Sequence, residues 1–504
     1  MDMRRWASVF SFVIFVTILF GASRLAAGQT TARDAFVTRS GTKLLLNGKE
    51  FRYSGPNIEW LGLEAYGPHD PVGPRYPSHL EIDDAFDTAK DMGALVVRSQ
   101  TMGDSVGCDL CIEPKAGVFN PAAFNSIDYA LKAARDRGMH VIITLAGDCA
   151  DCELSGAGEY LLWEGKRDPK QFFTDSSVIA EFEDHIRAVL NHKNTLTGVA
   201  YKDDPTILAW ENCNLCGLSV LFTTPGQSLA PFTPWVDTIG SFIKSIDKKH
   251  LYEDNSGFFL FDPSALDAKT PDIVTSEYYP HWDYLFGGKQ TTTAQTFSNH
   301  AAMITAKGKA YVANEFGWDV TDWPTQDALK VVLKTLEGDP KISGDLYWAL
   351  QAHADKFGWQ PTSAPTTNSH YAHVGESGQW WSLFYGGVTT MVNTKDDMQA
   401  RAELLRAHAY AMAGVPAPPH AIPAAPVITF KGLGLLGWHG SAGAVAYSVE
   451  RQASDSAPWE NICDKCATDA DAPWVDPKPA GFTARYRVIA YNADGKPSQP
   501  SNVR

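Results

Sequence analysis

Basic side chains are scarce in this 504-residue chain: 43 Lys and Arg stand against 58 Asp and Glu, a formal charge of −15. A surface short of clustered cations does not track a phosphate backbone or an anionic bilayer, so no nucleic acid and no membrane surface is expected as partner. No apolar run beyond Ala22 is long enough to cross a bilayer. No cysteine falls outside a Cys-x-x-Cys pair. The chain has no phosphate-cradling glycine loop, no dinucleotide fingerprint and no His-Glu-x-x-His pair, so no cofactor and no metal is implied. Low-complexity segments are missing too.

What is present is a globular composition, 44% hydrophobic and 20% charged, at a length that suggests more than one domain. Residues 1–28 carry Arg4 and Arg5, an apolar run from Ala7 to Ala22 and then small residues. That is the pattern of a signal peptide, and it predicts a secreted or periplasmic protein. An uncleaved anchor is the alternative, but the run is short for a span. The eight cysteines form four pairs: Cys108 and Cys111, Cys149 and Cys152, Cys213 and Cys216, Cys463 and Cys466. Two such pairs brought together could hold zinc, and links between neighbouring loops are possible. Export favours oxidation, and a local disulfide in each pair is the one rule that covers all four.

Strand-like and helix-period stretches alternate through the first 412 residues. Helices are expected with Leu80, Ile82, Phe86, Ala89 and Met92 on one face, and from Pro121 to Gly138 behind an Asn120 cap. The strands "FRYSG", "ALVVRS", "HVIITLAG", "TILAW", "HLYEDNS", "DIVTSEYYP", "KAYVANEFGW" and "GDLYWALQ" number eight. Repeated βα units with apolar strands mean a parallel sheet, and eight suggest an α/β fold of the (β/α)8 TIM-barrel type over residues 29–412. Residues 413–426, "AGVPAPPHAIPAAP", read as a stiff proline-rich linker. Residues 427–504 alternate apolar and polar positions, as a small C-terminal β-sandwich does, and their Trp438, Tyr447 and "YRVIAYNADGKPS" resemble a fibronectin type III module. A monomer is expected.

In such a barrel the reactive groups collect at the carboxyl ends of the strands. Asn57, Arg98, Asp148, Glu211, Asn212, Asn214, Glu253, Glu277, Tyr279, Glu315 and Trp348 fall there. Several carboxyls around one mouth, with an arginine and aromatics, suit glycoside hydrolysis, in which one carboxylate attacks the anomeric carbon and a second carboxyl protonates the leaving oxygen. Trp60 adds an aromatic surface at the first strand. "AYKDDPTILAWE" followed by Asn214, then "NEFG" and Trp348, is similar to family 5 glycoside hydrolases, particularly the endo-β-1,4-mannanases. The resemblance implies a retaining enzyme acting on a β-linked polysaccharide or oligosaccharide. It implies Glu315 as nucleophile, Arg98 orienting it, Tyr279 bonding it, Trp348 flooring the subsite of the cleaved sugar and Asn214 reaching its 2-hydroxyl.

Two positions depart from that family. Leu215 stands where its acid/base glutamate follows the asparagine, and Glu277 stands where a histidine precedes the tyrosine by two residues. One carboxyl is lost from the fourth strand and one gained on the sixth. Glu277 is therefore the expected proton donor, facing Glu315 across the gap of about 5 to 5.5 Å that retaining enzymes use. Glu211 is the rival acid/base. The alternatives are a barrel that binds polysaccharide without cleaving it, and a zinc hydrolase built on the cysteine pairs.

Overall fold

In the computed structural model, the described residues are 35–64, 74–147, 156–223, 226, 228–279, 293–317, 326–360, 382–386, 394–470 and 472–504. The leader pattern of residues 1–28, Asp148, and the pair Cys149 and Cys152 lie outside them. Eight parallel strands form one sheet: Tyr53–Pro56, Val96–Ser99, His140–Thr144, Ile207–Glu211, Leu251–Asp254, Ile273–Glu277, Ala310–Phe316 and Ile342–Tyr347. The first pairs with the eighth, and Leu95 N–H and Ile58 N–H tie it to the second through Ser54 O and Arg98 O, so the sheet closes into a barrel. All eight predicted strands are found in place.

The barrel interior is filled, not hollow. Tyr53, Val96, Ile142, Leu208, Leu251, Ile273, Ala310, Val312 and Leu346 pack together, and Val37, Leu44 and Phe51 join them. Val37 and Leu44 come from a small antiparallel sheet, Val37–Ser40, Lys43–Leu46 and Lys49–Glu50, that plugs the amino end, and Phe51 follows its last strand directly. The sequence reading had only a single opening strand there. With one end stoppered, the carboxyl end is left for chemistry.

The helix His79–Asp91 begins at a capping box, Ser78 with Glu81, and buries Ile82, Phe86 and Ala89. Leu80, expected on that inner face, is 42% exposed, because a residue two positions before Ile82 falls on the opposite side of a helix with 3.6 residues per turn. Asn120 caps the turn Pro121–Ala123, and helix Phe124–Arg137 ends at Gly138 with φ 74°. Among the described residues no helix is long and apolar enough to cross a membrane.

Beyond the last barrel helix, Lys395–Met412, residues 413–426 run without regular structure yet are held in place. Asp91 accepts from Ala421 N–H, and the Asn492 amide donates to the carbonyls of His420 and Ala421. Two antiparallel three-stranded sheets follow. Ile428, Leu436 and Trp438 from one and Tyr447, Val449, Tyr486 and Val488 from the other share a core. The two sheets thus pack face to face.

A buried histidine joins this C-terminal part to the barrel. His353 lies 3.0 Å from Asp84 and 3.1 Å from Asp469. Burial works against its charge, but Asp84 and Asp469 outweigh burial and hold its pKa up to about 10. An unfolded histidine titrates near 6.5. The stabilisation is therefore complete below about pH 6.5 and is lost as the pH rises through about 10. Thermal melting should show a decline over that window, and His353→Gln should flatten it.

Candidate active site

Arg98 organises the barrel mouth. It ends the second strand fully buried, and every nitrogen of its guanidinium is engaged. Nε and Nη2 donate to the two oxygens of Glu211, each at 2.7 Å. Nη1 donates to Glu315 at 2.5 Å and to Asn57 at 3.0 Å, and Nη2 also donates to Asn214 Oδ1 at 2.5 Å. Glu277 lies 3.6 Å from Nη2. One cation thus links residues from the first, second, fourth, sixth and seventh strands or the loops that follow them.

The carboxyls come in two side-by-side pairs. Strand register sets Glu211 opposite Glu253 and Glu277 opposite Glu315. In a parallel sheet, partners in register project from the same face, and neighbouring strands are about 4.8 Å apart, so the side chains of each pair converge. Glu277 and Glu315 stand side by side at the ends of neighbouring strands, 3.6 Å and 2.5 Å from Nη2 and Nη1 of Arg98. Burial first, and then the Glu315 charge, push the Glu277 carboxyl well above the usual range, with Arg98 and Asn255 opposing. Burial also raises Glu315, but Arg98 and Tyr279 pull it back. Of the two carboxyls, Glu277 is thus the one pushed toward the neutral form and Glu315 the one held toward its charge.

Tyr279 Oη donates to Glu315 Oε2 at 2.9 Å, and Tyr279 packs with Trp348 and Ala349 in a small cluster at the mouth. Asn255, which the sequence reading passed over, donates from Nδ2 to Glu277 Oε1 at 2.6 Å. The signal was available, because Asn255 follows Glu253 by two and so shares its face of the extended chain. Gln100, also missed, donates to Glu315 at 3.4 Å. Asn57 donates to the Asn314 carbonyl, and Asn314 in turn to Glu211. Trp60 lies apart from this group, 3% exposed, its indole N–H given to the Leu350 carbonyl.

Glu211 has both oxygens taken: Thr144 and Asn314 add hydrogen bonds to those from Arg98. Leu215 is buried, in the left-handed region at φ 46°, and its side chain packs against Gly257. Disulfides bridge Cys108 to Cys111, Cys213 to Cys216 and Cys463 to Cys466. The second of these brackets Asn214 and Leu215, and Leu215 N–H is held by the Asn255 carbonyl. Among the described residues no group of three or more His, Cys, Asp and Glu is arranged to hold a metal ion.

Residues 34–258 match the family model described as GH family 5 beta-mannosidase-like. Mannan endo-1,4-beta-mannosidase 1 of Arabidopsis thaliana is 29% identical over 284 residues, covering 54% of this chain and 64% of the relative. Mannan endo-1,4-beta-mannosidase 4 of Solanum lycopersicum is 31% identical, covering 48% of this chain and 58% of the relative. The chain thus spans under two thirds of the length of these curated relatives. In fold, the endo-1,4-beta-mannanase of Rhizomucor miehei superposes with a TM-score of 0.56 at 23% identity, over 75% of this chain and 100% of that one. Across residues 34–258 the chain is similar to the family 5 β-mannosidase-like glycoside hydrolases.

Proposed function

We propose that the protein is a secreted, retaining glycoside hydrolase acting on β-mannan or related β-linked oligosaccharides, with Glu315 as nucleophile and Glu277 as acid/base. The observation that carries this reading is the side-by-side Glu277–Glu315 pair at Arg98, Glu315 2.5 Å from Nη1 and Glu277 3.6 Å from Nη2. In the reaction Glu277 turns from Glu315 to the glycosidic oxygen and gives it the proton. Glu315 attacks the anomeric carbon. Water then releases the sugar with Glu277 acting as base.

Asn255 donates to Glu277 Oε1, which leaves Oε2 as the oxygen that carries the proton. Asn214 has its Oδ1 committed to Arg98, so its NH2 is the part left for a sugar hydroxyl. Trp348 supplies the apolar floor. Glu211 is read as the anchor of Arg98, since both of its oxygens accept from that guanidinium, which holds it in the charged form. Export rests on the leader pattern of residues 1–28 and on the bridged cysteines. Residues 427–504 are read as a fibronectin type III-like module behind the 413–426 linker, serving as a spacer or docking part.

The test is the anomer of the first product. Proton NMR during hydrolysis of a β-1,4-mannooligosaccharide should show the β-anomer before mutarotation; an initial α-product excludes the retaining reading. We propose that the disulfide-braced loops after the second and fourth strands narrow one side of the cleft, and expect short products from chain ends rather than random internal cuts in a long mannan. A second reading, a barrel that binds β-mannan without cleaving it, is favoured by Leu215 alone. Binding of mannooligosaccharide with no release of an activated aryl β-mannoside by the purified chain selects it.

A further inference from the structure

The second carboxyl pair has no part in the scheme above. Glu253 ends the fifth strand, buried, in register with Glu211. No amide, hydroxyl or guanidinium among the described residues donates to either of its oxygens. A buried carboxylate without a donor is costly, and here it would stand beside a second carboxylate. The neighbours leave one resolution. Glu211 has three donors on it, from Arg98, Thr144 and Asn314, and is built to be the charged member. Glu253 has an acceptor beside it and nothing else.

The geometry points to Glu253 as a positioning residue that holds a proton against Glu211, and through Glu211 and Arg98 fixes the orientation of Glu315. This rests on the reading of Glu315 as nucleophile. The line runs from strand to strand: Glu253 stands level with Glu211, Glu211 grips two nitrogens of Arg98, and the third nitrogen of Arg98 holds Glu315 at 2.5 Å. Were Glu253 to ionise, three acids in contact would compete for one guanidinium, and Arg98 would be drawn toward the Glu211–Glu253 side. Burial first, and then the Glu211 charge, push the Glu253 carboxyl well above the usual range, which keeps that competition off at neutral pH. The arrangement mirrors the Glu277–Glu315 pair, with one difference: the Glu253 proton is kept, whereas the Glu277 proton is spent on the leaving group.

Two substitutions separate this role from plain packing. Glu253→Gln keeps an N–H donor for Glu211 and cannot ionise, whereas Glu253→Leu keeps bulk and removes the donor. Glu253→Gln should retain the parent kcat, and its alkaline limb should change from a two-proton to a one-proton fall. Glu253→Leu should lose about tenfold to a hundredfold in kcat with KM little changed, as expected for a misoriented nucleophile. Independently of turnover, infrared spectra at neutral pH should show one protonated-carboxyl carbonyl band in the parent that is missing from Glu253→Gln, and a different one missing from Glu277→Gln. If Glu253→Gln loses no such band, the proton is not on Glu253 and the inference fails, whatever the activity. It fails equally if Glu253→Leu matches the parent in kcat and pH profile. A parent with both bands but no hydrolysis would overturn the catalytic reading and leave the proton assignment standing.

Discussion

Glu277→Gln is expected to lower kcat on a β-1,4-mannooligosaccharide by about 10²- to 10⁴-fold, the usual worth of a positioned proton donor. A sugar hydroxylate is a poor leaving group and needs that proton. An aryl β-mannoside with an activated phenol does not, so on that substrate the first step should suffer far less. The pH dependence gives a second handle. Glu277 must be protonated to act, and its carboxyl titrates well above the usual range because it is buried beside the Glu315 charge. Activity of the parent on oligosaccharide should therefore persist above the ordinary glutamate range and fall as Glu277 ionises. On the aryl substrate, Glu277→Gln should lose that part of the alkaline fall. Equal rates for parent and variant on both substrates would remove Glu277 from the mechanism.

Glu315→Gln is expected to abolish turnover on both substrates, because no leaving group is good enough to dispense with the attacking carboxylate. This separates the two glutamates: one variant is selective in what it loses, the other is not. The reason lies in their surroundings. Arg98 at 2.5 Å and Tyr279 at 2.9 Å stabilise charge on Glu315, while Glu277 has one amide and a guanidinium nitrogen at 3.6 Å. The pair titrates as a unit, with the charge favoured on the member that has more hydrogen-bond donors. Retained activity of Glu315→Gln on an activated aryl β-mannoside would move the nucleophile elsewhere, and Glu211 would be the next candidate.

The barrel was legible because its strands are short apolar runs separated by helical periodicity, a pattern that survives without knowledge of tertiary contacts. All eight strands follow it, and their carboxyl ends gave Arg98, Glu211, Glu277, Tyr279 and Glu315 in one place. What the pattern hides is lateral register. Nothing in "LYEDN" and "ILAWE" says that Glu253 stands level with Glu211, nor does either strand alone say that Glu277 stands level with Glu315. Register between strands far apart in sequence is decided by closure of the barrel, not by either strand. The plug at Val37–Glu50 was hidden for a different reason: its strands are two to four residues long and half exposed. His353 gave no signal either, because its two acids come from Asp84 and Asp469, on either side of it in the chain and far from it in sequence. Trp60, read as a sugar-facing aromatic, illustrates the opposite risk. A tryptophan at a strand end suits a cleft or a core equally, and here its indole N–H is given to a backbone carbonyl in a buried setting.

The most direct measurement is azide rescue of Glu277→Gln on an activated aryl β-mannoside. If Glu277 is the acid/base, the glycosyl-enzyme on Glu315 forms but waits for a base, and a small anion that needs none should accelerate turnover and yield β-mannosyl azide. Absence of any azide product, with hydrolysis unchanged by the anion, would contradict a proton donor moved to the sixth strand.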